Sequence, residues 1–221
     1  MKAAEERQED NTYTISLRPC SNKKIYVDPL DREGIYLYPR EIRKEDLKDG
    51  QEISEEKLDK LRLTYAGPRA KKRALAILMR QDQTEAQLRD KLLKAQTDRQ
   101  SLEEAMDFVR SQGFIDDDKY ARDYLHSRRT KKSFRQIRAD LMRKGIPRDI
   151  LDRVFEEDEG QNSRDLQQLF ERYIRRFPDF DRDATRRTYA HFARKGYSHD
   201  LISRLIRART DMEDDLTELS R

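Results

Sequence analysis

The sequence predicts a mainly α fold in which three tandem three-helix repeats, an elongated helical array, follow a small antiparallel β N-terminal extension. Three features lead there. Strand-like alternation near the N-terminus gives way at Arg69 to an uninterrupted helical period, and short segments recur at a nearly constant spacing. Only 35% of the 221 residues are apolar and 42% are charged, against roughly 25% charged in an average soluble protein. So thin an apolar supply lets each element bury one stripe against its neighbour, as in helical arrays.

Met1–Asp10 and Thr210–Arg221, short and highly charged, are expected to be disordered. Tyr13, Ile15 and Leu17 alternate with Thr14, Ser16 and Arg18 in strand fashion. Ile25-Tyr26-Val27 and Ile35-Tyr36-Leu37-Tyr38 read as two further strands, joined by a connection whose turn chemistry comes from Pro29 and Gly34. Arg40 to Gly50 reads as a short helical connector, and Ser54 as the N-cap of the next helix in a charged linker that ends near Pro68.

Nine helical stripes come next. The first three are Ala74, Leu75, Leu78; Leu88, Leu92; and Leu102, Ala105, Met106, Val109. The next three are Tyr120, Ala121, Tyr124, Leu125; Phe134, Ile137, Leu141; and Ile150, Leu151, Val154. The last three are Leu166, Leu169, Phe170, Tyr173; Tyr189, Phe192; and Leu201, Ile202, Leu205, Ile206. The expected divisions are 1–66 for the β-rich extension with its helical linker, 67–118, 119–160 and 161–211 for the three repeats, and 212–221 for a charged tail.

Self-comparison supports this count. Leu141-Met-Arg-Lys-Gly145-Ile-Pro-Arg-Asp149-Ile150 lies over Phe192-Ala-Arg-Lys-Gly196-Tyr-Ser-His-Asp200-Leu201 at an offset of 51 residues. Thr84 to Leu92 lies over Ser133 to Leu141 at an offset of 49, in a more degenerate copy whose Gln96 stands where the others have glycine. Gly145 and Gly196 fall just past a helix end, where a left-handed residue closes the helix.

Catalysis finds little support. His126, His191 and His199 lie on different helices or turns with no carboxylate or cysteine at metal-ligand spacing, and the seven scattered glycines form no phosphate-cradling loop. No catalytic residue, metal site or cofactor is therefore expected. Asp116, Asp117 and Asp118 precede a helix, a capping position where a carboxylate accepts backbone N–H bonds. The single Cys20 excludes an intramolecular disulfide and a cysteine-cluster zinc site and suits a reducing compartment. No secretory leader and no apolar run of the ~20 residues a membrane helix needs is visible, so a cytoplasmic protein without membrane contact is expected. With every stripe facing a neighbouring helix, a monomer is expected.

The formal net charge of +4 arises from 48 basic and 44 acidic residues, so distribution matters more than the total. Arg128, Arg129, Lys131, Lys132, Arg135, Arg138, Arg143 and Lys144 form the most one-signed stretch, interrupted only by Asp140. With Phe134, Ile137 and Leu141 buried, these cations are expected to face outward. Arg186, Arg187, Arg194 and Lys195, together with Arg172, Arg175 and Arg176, form a weaker group diluted by Asp179, Asp181 and Asp183. The bland reading is a solvated face; the functional one is a surface for a phosphate backbone or an acidic protein groove.

Several of these residues together resemble the RecX family, bacterial regulators of the RecA recombinase. Gly113-Phe114-Ile-Asp-Asp117-Asp-Lys-Tyr120-Ala121-Arg-Asp-Tyr124 is similar to the family's signature at the start of its second repeat. Thr84 to Leu92 resembles an element of the first repeat, Leu141 to Ile146, with Gly145, one of the second, and Arg194-Lys-Gly196-Tyr-Ser-His-Asp one of the third. The likeness spans about Arg69 to Arg209, and the β extension looks like one some members carry. Lys132-Ser133 and Gln81-Asp82-Gln83 depart from the family pattern. The resemblance implies a non-enzymatic regulator, an inhibitor, that binds along the groove of the RecA filament on single-stranded DNA. It would bridge neighbouring subunits and restrain ATP hydrolysis, strand exchange, filament growth, recombination and the SOS response to DNA damage. A direct nucleic-acid-binding module of tandem helix-turn-helix-like units, or a general helical scaffold, are the other readings the residues allow.

Overall fold

A computed structural model describes residues 12–129 and 131–219, without the side chains of 159–163, 165 and 211–219. The disorder expected for Met1–Asp10 lies outside the described residues. The chain forms two compact units, one up to Asp116 and one from Asp117.

The first unit opens with five short strands: β1 (Thr12–Thr14), β2 (Ser16–Pro19), β3 (Ile25–Asp28), β4 (Ile35–Leu37) and β5 (Glu52–Ser54). β2, β3 and β4 pair antiparallel in that order, with Leu17 opposite Val27 and Tyr26 opposite Tyr36. β1 pairs instead with β5, Tyr13 opposite Ile53. The alternation from Tyr13 to Leu17 is thus two strands, parted at buried Ile15, whose N–H donates to the Gln51 carbonyl and whose own carbonyl accepts from Gly50 N–H, both at 2.9 Å. The helical connector expected over Arg40–Gly50 is shorter: α1 covers Pro39–Lys44, and Gly50, with φ of +76°, turns the chain into β5. A three-residue strand with one apolar side chain gives alternation nothing to register.

Ser54 caps α2 (Glu55–Leu61) as expected, its hydroxyl accepting from the Lys57 N–H at 3.2 Å. No linker separates it from the first repeat. A π-helical turn, Arg62–Ala66, joins α2 directly to α3 (Gly67–Leu78), so the division expected after residue 66 falls inside continuous helix. Pro68 does not stop it: it comes directly after the π-helical turn, where the winding has already departed from the α-helical ladder. Val27, Ile35, Leu37, Leu58 and Leu61 bury together as the core of the extension.

Among the described residues, the nine helices from α3 onward fall into three sets with separate cores. Ala70 and Ala74 of α3, Leu88 and Leu92 of α4 (Glu85–Lys94) and Leu102, Ala105, Met106 and Val109 of α5 (Arg99–Ser111) bury together. In the second unit, α6 (Asp117–Arg128), α7 (Phe134–Arg143) and α8 (Arg148–Glu157) enclose Ala121, Leu125, Ile137, Leu141, Leu151 and Val154. α9 (Glu159–Ile174), α10 (Arg182–Lys195) and α11 (His199–Leu219) enclose Leu166, Phe170, Ala184, Phe192 and Ile202. The starts expected at 119 and 161 lie two residues inside α6 and α9. α11 continues as helix to Leu219, so that helix replaces the disorder expected for Thr210–Arg221 through most of that segment.

The second helix of every repeat ends alike. Gly145 and Gly196 have φ of +85° and +89°, and Gln96, standing where they do, has φ of +56°. Leaving a side chain in that conformation costs about 1 kcal/mol or more. Contacts from the extension hold it: the Lys24 ammonium donates to the carbonyls of Ala95 and Gln96 at 2.7 and 2.9 Å, and Gln96 Nε2 donates to Ser21 Oγ at 2.7 Å.

Candidate interaction face

The basic run occupies the end of α6, the loop after it and α7. Ser133 fixes the start of α7 through a reciprocal cap, its hydroxyl accepting from Gln136 N–H at 3.3 Å while Gln136 Oε1 accepts from Ser133 N–H at 3.1 Å. Thr84 and Gln87 repeat this cap on α4, so the serine that departs from the family pattern does the same local work as its counterpart in the first repeat.

Asp140, the one acid in the run, organises it. Its buried carboxylate is ion-paired with both Lys132 and Arg143 and accepts from the Tyr124 hydroxyl at 3.2 Å. The Lys132 hydrogen bond, then those of Arg143 and Tyr124, hold it below the usual carboxylate range against the opposing effect of burial. Tyr120 and Tyr124 lie with rings nearly parallel, centroids 6.4 Å apart. The Lys144 ammonium sits 5.6 and 5.4 Å from their centroids, and the Arg128 guanidinium 5.6 Å from that of Tyr124. The result is a cation-and-ring cluster rather than a plain row of charges.

Not every cation of the run joins it. Arg138 pairs with Asp152 of α8 and lies 5.7 Å from the Phe155 ring centre, and half-buried Arg129 pairs with Asp158 at 3.1 Å. Arg128, Lys131 and Arg135 carry no carboxylate partner among the described residues.

In the third repeat Arg186 and Arg187 share Asp183, at 2.9 and 2.7 Å, and Arg194 Nε donates to the Ala190 carbonyl at 3.2 Å. The turn carrying Arg194 and Lys195 presses on α7: a Cβ at Gly196 would stand 2.9 Å from Ser133 Oγ and 3.3 Å from Arg135 Cβ. Sequence reasoning missed the stack beside it. Arg176 lies 4.0 Å from the Tyr173 ring centre, and Tyr173 stacks on His191 at 4.0 Å. Burial, then Lys195, Arg176 and Arg194, hold His191 below its ordinary value. Only the spacing of Tyr173 and Arg176 along the sequence could have hinted at it.

Of the motif residues, Gly113 has φ of +67° after α5, Phe114 is 52% exposed, Asp117 lies in the first turn of α6, and Ala121 is fully buried. Asp118, read as a cap, bridges Arg122 at 2.6 Å and Arg153 of α8 at 2.7 Å. Among the described residues no three His, Cys, Asp or Glu side chains stand where they could hold a metal ion. No described helix is long and apolar enough to cross a membrane.

Comparison with known proteins bears on the same segment. Residues 116–154 match the family profile of RecX, second three-helix domain, the stretch that carries the ring cluster. The regulatory protein RecX of Clostridium botulinum strain Eklund 17B is 27% identical over 176 residues, 78% of this chain and 83% of its own. That of Clostridium perfringens strain SM101 is 26% identical over 207 residues, 90% of this chain and 95% of its own. Profile and relatives together support the RecX family. Solved members share the fold: a crystal structure of regulatory protein RecX superposes with a TM-score of 0.56 at 22% identity, covering 87% of this chain and 98% of its own. RecX from Lactobacillus salivarius gives 0.59 at 22% identity, covering 65% and 96%. The residues matched to the profile include Tyr120, Tyr124, Arg128 and Lys144 of the cation-and-ring cluster.

Proposed function

We propose that this protein is a non-enzymatic regulator of the RecA recombinase, an inhibitor that lies in the groove of the RecA filament on single-stranded DNA. It acts as a cytoplasmic monomer without cofactor or metal, bridging neighbouring filament subunits and lowering ATP hydrolysis, strand exchange and the DNA-damage response that the filament drives. One observation carries the reading: the cation-and-ring cluster on α6 and α7 lies within the segment that matches the family profile. Braced by Asp140, it presents cations already ordered toward an acidic surface, which lowers the entropy lost on docking.

The test is ATP hydrolysis by the cognate recombinase on single-stranded DNA while the protein is titrated in. Dose-dependent loss of hydrolysis, with filament capture in a pull-down, is expected; no effect and no capture would overturn the reading. Arg128→Glu with Arg135→Glu, at positions without a carboxylate partner, should weaken inhibition about tenfold or more without lowering the melting temperature. A second reading, direct binding of nucleic acid by the same face, is favoured by Tyr120 and Tyr124 among the cations. It would be preferred if the parent chain bound naked DNA through this face without inhibiting the recombinase; loss of naked-DNA binding by the double variant with inhibition unchanged would show the DNA contact to be incidental.

A further inference from the structure

The first unit holds a second cationic site that the regulatory reading does not use. A cleft of about 630 Å³ opens between the β extension and α3 and α4, its wall carrying Lys24, Arg69, Lys72, Arg73, Arg80 and Lys91. Asp98 is the one carboxylate lining it, and that group is engaged: it accepts from Arg62 Nε at 3.2 Å and from the Ser101 N–H at 3.0 Å. Arg69 is held by Glu41 and Lys91 by Gln83. Lys72, Arg73 and Arg80 are exposed and carry no acidic partner among the described residues.

Their arrangement identifies the class of ligand. Arg69 and Arg73 lie one turn apart on one side of α3, and Arg80 follows in the turn two residues past its end, so that the row reaches roughly 16 Å at helical rise. A lone phosphate needs one or two cations; a row of this length matches consecutive phosphates of a strand. Tyr36 and Tyr38 line the same cleft, with Lys24 5.7 Å from the Tyr36 ring centre and Arg69 4.7 Å from that of Tyr38, a mixture of rings and cations of the kind single-strand grooves use. Lys24 is only 8% exposed beside this array, and burial, then Arg69 and Arg73, bring its ammonium down to about 8. Asp98 and Glu41 offset that positive field only in part.

We propose that this cleft binds the phosphodiester backbone of single-stranded nucleic acid, independently of the face on α6 and α7. The proposal stands apart from the recombinase reading, since its test contains no recombinase.

The experiment is fluorescence anisotropy of a labelled oligodeoxythymidylate of about a dozen nucleotides, with the full chain, across a range of salt. Arg73→Glu with Arg80→Glu should weaken binding at least about tenfold and flatten the dependence of log K on log salt by about one to two. Arg73→Gln with Arg80→Gln should fall between it and the parent, and circular dichroism should be unchanged in both. Undiminished binding by the Arg73→Glu, Arg80→Glu chain would overturn the proposal. So would displacement of the oligonucleotide by polyglutamate of equal charge, which would show a site for acidic protein, or by pyrophosphate at equal phosphate, which would show a site for a free anion.

Discussion

The basic run of the second unit and the basic cleft of the first reach their charge by opposite routes. The run is contiguous in sequence, Arg128 to Lys144, yet the fold answers half of it with carboxylates: Asp140 takes Lys132 and Arg143, Asp152 takes Arg138, and Asp158 takes Arg129. The cleft draws its cations from Lys24 to Lys91, with many acidic residues between them in the chain, and leaves Lys72, Arg73 and Arg80 unanswered. One sign along the chain is therefore no measure of one sign in space. The deciding factor is which carboxylates the packing turns toward the cations.

The largest expected effect comes from the acid that lines the cleft. Arg62, 2% exposed, joins Asp98, Asp59 and the Glu33 carbonyl. Arg62→Met would leave Asp98 buried and unpaired, at a cost of about 3–5 kcal/mol, read from urea unfolding. If the cost were below about 1 kcal/mol, Asp98 would be finding cations of the cleft instead, and the contrast between the two surfaces would shrink.

On the other side of the comparison, Asp140→Asn should cost about 2 kcal/mol by removing a charged acceptor of three hydrogen bonds. The folded carboxyl lies below its unfolded value, so its contribution is present above the ordinary aspartate value of about 4 and fades as pH falls through the folded one. The stability difference between parent and Asp140→Asn should therefore narrow on acidification. A difference that held constant down to about pH 2 would remove Asp140 as the organiser of the run.

The smallest effect concerns Lys24. Its folded value, about 8, lies below its unfolded one, so below pH 8 both states are protonated and the charged amine is buried at a cost. Above that the folded state is neutral while the unfolded one still binds a proton. Stability relative to Lys24→Met should fall on the order of 1 kcal/mol between about pH 9.5 and about pH 7.5, and rise by as much in the other direction, measured by paired denaturant titrations. A flat difference would show that burial and the neighbouring Arg69 and Arg73 together press on this ammonium less than its place in the cleft requires.

Much of the helical architecture was legible because buried stripes recur at helical spacing: Leu88 and Leu92, Ile137 and Leu141, and Phe192 all reach full or nearly full burial. Gly145 and Gly196 were legible as helix ends for the same local reason. Gln96 shows where local reasoning stops, since its left-handed backbone is held by Lys24 and Ser21, more than seventy residues away in the chain. β5 was hidden by its length, and the unbroken run from α2 to α3 by a charged stretch that looks like a linker. The candidate face was legible as a list of cations and not as a geometry, because the partners that sort them, Asp152 and Asp158, lie outside the run. The cleft was invisible, its residues coming from a strand edge, two helices and a turn.

The π-helical turn at Arg62–Ala66 has a bearing on how this chain can change over time. A π turn is one extra residue accommodated without breaking the helix, and each residue added to or removed from an α-helix rotates the rest of that helix by about 100°. Leu58 and Leu61 face the extension's core before the turn, while Ala70 and Ala74 face the first repeat's core after it. The extra residue sets the angular phase between two cores that share one rod. A substitution in that rod, even a costly one, leaves this phase unchanged, whereas a single deletion between Leu61 and Ala70 would put one core or the other out of gear.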